Sequence, residues 1–291
     1  MLAQKPKVVE GKKTINGVDL YYKVMGTGDT IIVLHGGPGL DHTEMLPQYE
    51  KLAKDFRLLF YDQRACGKSG GSFDAKTINA DTYVEDLDGI RKAFGIEKAN
   101  ILGYSWGGLL AMFYAIKHPE GVGKLILVDS APASFADFED FGKVLAQRRS
   151  DDEKKQLGKI RSSPEYMAGD PKAVTASLRL GFRAYCFDPD RAKEITLDFT
   201  AKSAKAFIEV GNLFDMTLFK PGYDIHAKLK AVSCPTLVVH GDTDPIQPKF
   251  LKAVSDEIKG SQFVLLDKCG HFSHIEQPDK LFAAIGEFVR K

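Results

Sequence analysis

The sequence lacks several features that identify particular classes of protein. It has four cysteines in 291 residues, and Cys66, Cys186, Cys234 and Cys269 form neither a Cys-x-x-Cys pair nor a metal-ligand spacing. We therefore expect free thiols, as in a reducing compartment, although a single disulfide is compatible with the sequence. The sequence predicts no metal site and no other cofactor.

An excess of charge and long apolar runs are also missing. The 40 basic and 39 acidic residues leave a net charge of +1, so neither nucleic acid nor a membrane is expected as a partner. No segment approaches the length of a membrane span.

Residues 1–13 lack the apolar centre of an export signal, so a cytoplasmic location is the default expectation, although residues 2–4 also fit the remnant of a removed signal. The oligomeric state is not determined.

The most informative motif that is present is Gly103-Tyr104-Ser105-Trp106-Gly107. This Gly-x-Ser-x-Gly pentapeptide follows an apolar run typical of a strand and precedes an apolar pattern typical of a helix. Such a context is that of a nucleophile elbow, a strained strand-to-helix turn that exposes the serine Oγ. The motif predicts that Ser105 is a nucleophile.

A nucleophilic serine needs a general base and an acid that orients it. His271 follows a predicted strand at residues 262–267 and is the candidate base; for His274, its nearest rival, a surface role is expected. Three aspartates follow predicted strands and are candidate acids, namely Asp129, Asp242 and Asp244. Cys269 is a remote candidate for a second nucleophile, because no elbow surrounds it.

A glycine-rich loop, His35-Gly36-Gly37-Pro38-Gly39, follows the apolar strand at residues 31–34. Glycines let backbone N–H groups approach a substrate closely, as acyl transfer requires for its developing oxyanion. The expected donors are the N–H groups of Gly37 and Trp106, and His35 is expected to brace the loop. An ordinary tight turn is the alternative, whereas a phosphate loop is disfavoured because the Walker lysine and the dinucleotide glycine spacing are missing.

Three motifs together resemble the α/β-hydrolase fold family, and more narrowly its proline iminopeptidase branch. They are HGGPG at residues 35–39, YDQRACGKS at residues 61–69 and SWGG at residues 105–108. The resemblance implies an α/β fold with a mostly parallel central sheet, flanking helices and an inserted helical cap. The chain departs from the family at Ala65, where glycine is usual, and at Tyr104, where glycine or histidine is frequent.

The resemblance also implies a mechanism and orders the candidate acids. In the family pattern the acid stands three residues beyond a strand-ending glycine, here Gly241, which favours Asp244. Asp242 is then expected to bond nearby backbone N–H groups, and Asp129 occupies an alternative acid position used in some relatives. The implied activity is that of a serine hydrolase with Ser105, His271 and Asp244 as its triad. It acts through an acyl-enzyme and releases an N-terminal residue, preferably proline.

The chain also departs from the family where the substrate binds. Aminopeptidases of this branch hold the substrate's α-amine with two acidic residues. At the matching positions this chain has Leu213 and Pro245. Glu209 and Asp215 are candidate replacements, with the neighbouring Phe214 as a further candidate substrate contact. The missing acids favour a second hypothesis, a carboxylesterase or lactonase that acts on small acyl esters. A non-enzymatic ligand receptor is the third, so the expected partner is a small molecule or a short peptide.

The secondary-structure pattern changes twice along the chain. Strand and helix patterns alternate over residues 1–130 and again over 231–291, whereas helical spacings predominate between them. We therefore expect a first part of the hydrolase core at 1–130, a helical cap at 131–230 and a second part of the core at 231–291.

Overall fold

A central eight-stranded sheet organises the part of the chain that the computed structural model describes, which is residues 8–291 without the side chain at position 139. The strand order is β1-β2-β4-β3-β5-β6-β7-β8. β1 and β2 pair antiparallel, as do β2 and β4, and all other pairs are parallel. The strands are β1 Val8–Ile15, β2 Val18–Met25, β3 Thr30–Leu34, β4 Arg57–Tyr61, β5 Ala99–Tyr104, β6 Val122–Val128, β7 Thr236–Gly241 and β8 Gln262–Leu266.

Helices cover both faces of this sheet, which explains why its inner strands are mostly apolar. In β3, Ile32 and Leu34 enter one hydrophobic core, and Ile31 and Val33 enter the other. The predicted α/β fold with a mostly parallel sheet is thereby confirmed. The helices are α1 Ala80–Ala93, α2 Trp106–Lys117, α3 Phe135–Arg148, α4 Asp151–Arg161, α5 Pro164–Met167, α6 Pro171–Phe182, α7 Ala201–Phe214, α8 His226–Leu229, α9 Pro248–Glu257, α10 Ser273–Glu276 and α11 Pro278–Arg290.

Helices α3 to α8 lie between β6 and β7 in the chain, in the segment expected to form a cap. Their starts are encoded locally by side chains that accept hydrogen bonds from the first turn. Ser134, Asp170 and Thr200 act as N-caps, and Ser150 forms a capping box with Glu153. The division of the chain at residues 130 and 230 stays a prediction.

Two further expectations concern the termini and the cysteines. Within residues 8–291, no helix combines the length and the apolar character needed to cross a bilayer. Residues 2–4, which resemble the remnant of an export signal, lie outside the described residues. All four cysteines are free thiols, and Cys66, Cys186 and Cys269 are buried.

Candidate active site

Ser105 occupies the turn between β5 and α2, with φ 54° and ψ −120°. A non-glycine residue adopts such a positive φ only where its surroundings impose it. Here the backbone passes so closely that a Cβ on Gly103 would lie 2.3 Å from the Gly107 carbonyl oxygen. A Cβ on Gly107 would lie 2.4 Å from the Leu34 carbonyl oxygen. Both glycines of the motif are therefore required for the turn that presents Ser105.

The structure brings Ser105, His271 and Asp244 together at the carboxyl ends of β5, β8 and β7. His271 Nε2 lies 2.9 Å from Ser105 Oγ, and His271 Nδ1 lies 2.8 Å from Asp244 Oδ2. Asp244 Oδ1 accepts a hydrogen bond of 2.7 Å from the Ile246 N–H. The backbone N–H of His271 donates to the Tyr185 carbonyl at 2.8 Å. This continuous chain of hydrogen bonds is the arrangement in which a histidine can accept the serine proton.

The charge of Asp244 acts on His271. Both side chains are buried. Burial lowers the pKa of His271, but the neighbouring carboxyl groups, above all the charge and hydrogen bond of Asp244, outweigh it and leave this pKa above its ordinary value. The histidine is thus tuned to become a stable cation when it takes a proton.

The competing acids and the competing nucleophile have other contacts. Asp242 is exposed and accepts from the Cys269 N–H at 3.0 Å. Asp129 accepts from the backbone N–H groups of Gly241 and Ser273, each at 3.1 Å. Burial raises the pKa of the Cys269 thiol well above its ordinary value, which disfavours the reactive thiolate.

The expectation of a surface role for His274 is wrong. All four residues of α10 are buried, and the His274 ring packs against Tyr49, Tyr104 and Phe272. Burial lowers the pKa of His274 to about 3, so the ring is neutral and part of the core. The short helix directly after the histidine loop turns this residue inward, and its sequence carries no periodic signal.

The glycine-rich loop is held by residues of the second motif. His35 Nδ1 donates to the Gly36 carbonyl at 2.8 Å, and His35 Nε2 accepts from the Gln63 N–H at 3.1 Å. The Gln63 side chain donates to the His35 carbonyl at 3.0 Å and accepts from Trp106 Nε1 at 2.8 Å. The loop, the second motif and the residue after Ser105 therefore form one network.

The two expected oxyanion donors, Gly37 and Trp106, line the cavity at Ser105. Gly37 has φ 119°, a conformation for which glycine is suited. Trp106 is the first residue of α2, where backbone N–H groups have no partner within the helix. The structure thus places both residues beside the nucleophile.

Glu44 is a residue of this site that sequence reasoning missed. It is buried, lines the cavity and accepts from the Gly36 N–H at 2.5 Å. A Cβ on Gly36 would lie 2.9 Å from Glu44 Oε1 and 3.2 Å from Ser105 Cβ, so the carboxyl group is close to the nucleophile. Burial raises the pKa of Glu44 to about 8. The surrounding polar residues, Asp41, His42 and Thr43, resemble an ordinary loop and give no signal for this position.

The cavity has a volume of about 280 Å³ and a mostly apolar wall. The segment between β6 and β7 contributes six aromatic residues to this wall, together with two arginines. These residues are Phe138, Phe141, Phe182, Tyr185, Phe207, Phe219, Arg149 and Arg161.

The three candidate substrate contacts lie elsewhere among the described residues. Phe214 is buried against the Trp106 ring, with 4.4 Å between ring centroids. Asp215 is half-exposed and pairs with Lys220 at 2.9 Å. Glu209 is half-buried on α7. None of the three belongs to the described lining of the cavity.

A buried group of acidic and histidine side chains, Asp41, His42 and Asp62, has the spacing of a possible cation site. Asp62 Oδ1 lies 2.7 Å from His42 Nδ1, and its Oδ2 accepts from the Lys68 N–H at 2.8 Å. A second group, Asp129, His240 and Asp244, includes the candidate acid of the triad. In the first group these contacts form a hydrogen-bond network that holds the loop at Lys68.

Residues 29–278 match the family model for the alpha/beta hydrolase fold. The chain belongs to the α/β-hydrolase fold family. It is 30% identical to the proline iminopeptidase of Clostridioides difficile (strain 630) over 300 residues, which cover 97% of this chain and 98% of that protein.

Two solved structures of similar proteins have the same architecture. The proline iminopeptidase of Mycobacterium smegmatis superposes with a TM-score of 0.72 at 22% identity, and a thermophilic esterase from Thermogutta terrifontis with 0.66 at 26% identity. Each alignment covers 97% of this chain and 98% of the other. The predicted family is confirmed, and with it the expectation that the chain is a hydrolase of the aminopeptidase or esterase type.

The two departures of this α/β-hydrolase from its family pattern have structural explanations. Ala65 has φ 60° and donates to the Gly70 carbonyl at 2.7 Å. Glycine adopts this conformation without strain, which explains its usual presence there. The Tyr104 hydroxyl donates to the His271 carbonyl at 3.1 Å, and this tyrosine therefore supports the histidine loop.

Proposed function

We propose that this hydrolase uses Ser105, His271 and Asp244 as a catalytic triad and acts through an acyl-enzyme. The observation that carries the proposal is the hydrogen-bonded chain from Asp244 to His271 to Ser105, which ends in a cavity with a mostly apolar wall. Ser105 Oγ attacks the substrate carbonyl while its proton passes to His271 Nε2. Asp244 holds the imidazole in the tautomer whose Nε2 is an acceptor and stabilises the resulting cation.

The remaining steps use the same groups. The N–H groups of Gly37 and Trp106 donate to the oxyanion of the tetrahedral intermediate. His271 returns its proton to the leaving group as the bond to the carbonyl carbon breaks, which leaves the acyl group on Ser105. Water then gives a proton to His271 and attacks the ester, and collapse of the second intermediate releases the acid and restores Ser105.

The cavity supports a small acyl ester or lactone as the substrate. Its volume is near the lower end of the range for small-molecule sites, about 300 Å³. Burying an α-ammonium group without a charged partner is costly. Among the described residues that line the cavity, only Glu44 carries a carboxyl group. This group is mostly protonated at neutral pH and accepts a hydrogen bond from the Gly36 N–H.

Release of an N-terminal residue is the second candidate function, favoured by the relatives that are named proline iminopeptidases. In either case we propose that the helices at residues 131–230 form a cap over the site. We keep a cytoplasmic location and a small-molecule or short-peptide substrate as predictions.

Labelling with a fluorophosphonate tests the assignment of the nucleophile. The parent protein should be labelled and should hydrolyse a short-chain p-nitrophenyl ester, whereas Ser105→Ala should do neither while remaining folded. Ser273→Ala is a matched control, because this buried hydroxyl has no hydrogen-bond partner among the described residues; it should be labelled like the parent. Labelling that survives Ser105→Ala, or that maps to Cys269, contradicts the proposal.

A further inference from the structure

Two arginines face the cavity from the helical segment between β6 and β7. Arg149 follows α3, and Arg161 is the last residue of α4. Both are anchored on α6, since Arg149 Nη2 donates to the Gly181 carbonyl at 3.3 Å and Arg161 Nε donates to Ser177 Oγ at 3.0 Å. Arg149 is half-buried, whereas Arg161 is exposed and lies at the edge of the cavity.

Neither arginine has a carboxylate partner among the described residues. The Nε atom of Arg149 is buried and has no hydrogen-bond partner in this part of the chain. A buried polar group without a partner is costly, and native structures rarely keep one without a reason. Arg183, in the same segment, shows the ordinary arrangement, because its guanidinium contacts Glu153 at 3.1 Å and Asp190 at 2.9 Å.

The arginines share a small cavity with the catalytic histidine. Tyr185 connects the two regions: its ring centroid lies 5.6 Å from that of His271, and it lines the same cavity as Arg149 and Arg161. A guanidinium stays charged even where burial lowers its pKa, as it does for Arg149. The cavity is thus cationic on the side of Tyr185, and its carboxyl group, Glu44, is mostly protonated at neutral pH.

We propose that Arg149 and Arg161 bind an anionic group, a carboxylate, on the substrate that Ser105 cleaves. The planar fork of an arginine matches the two oxygens of a carboxylate, and an anion would satisfy the buried N–H of Arg149. The inference rests on the proposed hydrolase function and narrows its substrate to anionic esters. The carboxylate can belong to the acyl group or to the leaving group.

Two matched pairs of esters separate these sources. In one pair the acyl group carries the charge, as in mono-p-nitrophenyl adipate against the corresponding adipic monoamide ester. In the other the leaving group carries it, as in the butyrate esters of p-hydroxybenzoate and p-hydroxybenzamide. The readout is the ratio of kcat/KM for the charged ester to that for its neutral partner, with each rate corrected for alkaline hydrolysis.

We expect this ratio to reach about tenfold or more in one pair, as charge-assisted hydrogen bonds typically give. The ratio should fall to near one in Arg149→Gln and fall less in Arg161→Gln. In Arg149→Lys, which keeps the positive charge but not the planar guanidinium, it should take an intermediate value. Arg183→Gln removes the same charge from the same segment outside the cavity and should keep the parent ratio.

Ratios near one for both pairs in the parent, or a ratio that persists in Arg149→Gln, overturn the carboxylate site. If the parent nevertheless hydrolyses the neutral esters and Ser105→Ala does not, the proposed function stands without the inference. If the parent hydrolyses no ester of either pair, the inference fails; the proposed function fails with it if a fluorophosphonate also does not label Ser105.

Discussion

Replacing Asp244 with asparagine tests the hydrogen-bond chain of the site most directly. Both carboxylate oxygens of Asp244 are acceptors, Oδ1 for the Ile246 N–H at 2.7 Å and Oδ2 for His271 Nδ1 at 2.8 Å. An asparagine side chain has only one acceptor oxygen. Because the backbone N–H of Ile246 is always a donor, we expect the amide oxygen to remain there. The NH₂ group then faces His271 Nδ1.

That contact reverses the tautomer of the histidine. Nδ1 becomes an acceptor, the proton moves to Nε2, and Nε2 can no longer accept the proton of Ser105 Oγ at 2.9 Å. The equivalent change in a well-studied triad costs roughly ten-thousand-fold in kcat. At about 1.4 kcal/mol for each decade, this loss is roughly 5–6 kcal/mol of transition-state stabilisation. The KM should change little, because Asp244 is buried behind the histidine.

Steady-state kinetics on an ester that the parent hydrolyses will measure this loss, with circular dichroism to verify folding. Asp242→Asn is the matched control. Its carboxylate is exposed and accepts only from the Cys269 N–H among the described residues. We therefore expect its free energy of unfolding to change by no more than roughly 0.5 kcal/mol and its kcat to stay close to that of the parent. A large loss in Asp242→Asn together with a small one in Asp244→Asn would refute the assignment.

Three further predictions follow from the charges of the site. Leu213 and Pro245 stand where the family pattern has the amine-binding acids. Acylating the amine of a prolyl substrate should therefore change its kcat/KM by less than about tenfold, on a scale of 1.4 kcal/mol per decade, and simple esters should react faster than both prolyl substrates. A strong preference for the free amine would contradict this prediction. The kcat/KM of the parent should rise with pH through an apparent pKa above 6.5, the ordinary value for His271; a pH profile that is flat across this range would contradict its role as base. Glu44 contributes stability that is fully present below its unfolded pKa of 4.5 and is lost as the pH rises through about 8. Urea denaturation should therefore show a free energy of unfolding that falls over this pH range and falls less in Glu44→Gln. The same dependence on pH in Glu44→Gln and in the parent would contradict this prediction.

The sequence alone determined the architecture, because the patterns that encode it are local. Apolar runs at β3, β5 and β7 indicate strands buried on both faces, and the change to helical spacing after β6 marks the segment of helices α3 to α8. The glycines at positions 103 and 107 indicate the elbow, because no side chain fits the close backbone contacts there. These signals also selected Ser105 and His271 but left three candidate aspartates, among which the resemblance to the α/β-hydrolase family favoured Asp244.

Only the tertiary structure decided which other residues reach the site. Glu44 follows three polar residues and Arg149 lies between two, so both resemble surface positions, yet both line the cavity. His274 follows a predicted loop and is expected at the surface, yet it is buried in the core. The reason is physical: the environment of such a residue depends on elements distant in the chain, as for Arg149, which donates a hydrogen bond to Gly181 on α6. A periodic pattern encodes which face of an element is buried, but not which distant side chain will lie opposite it.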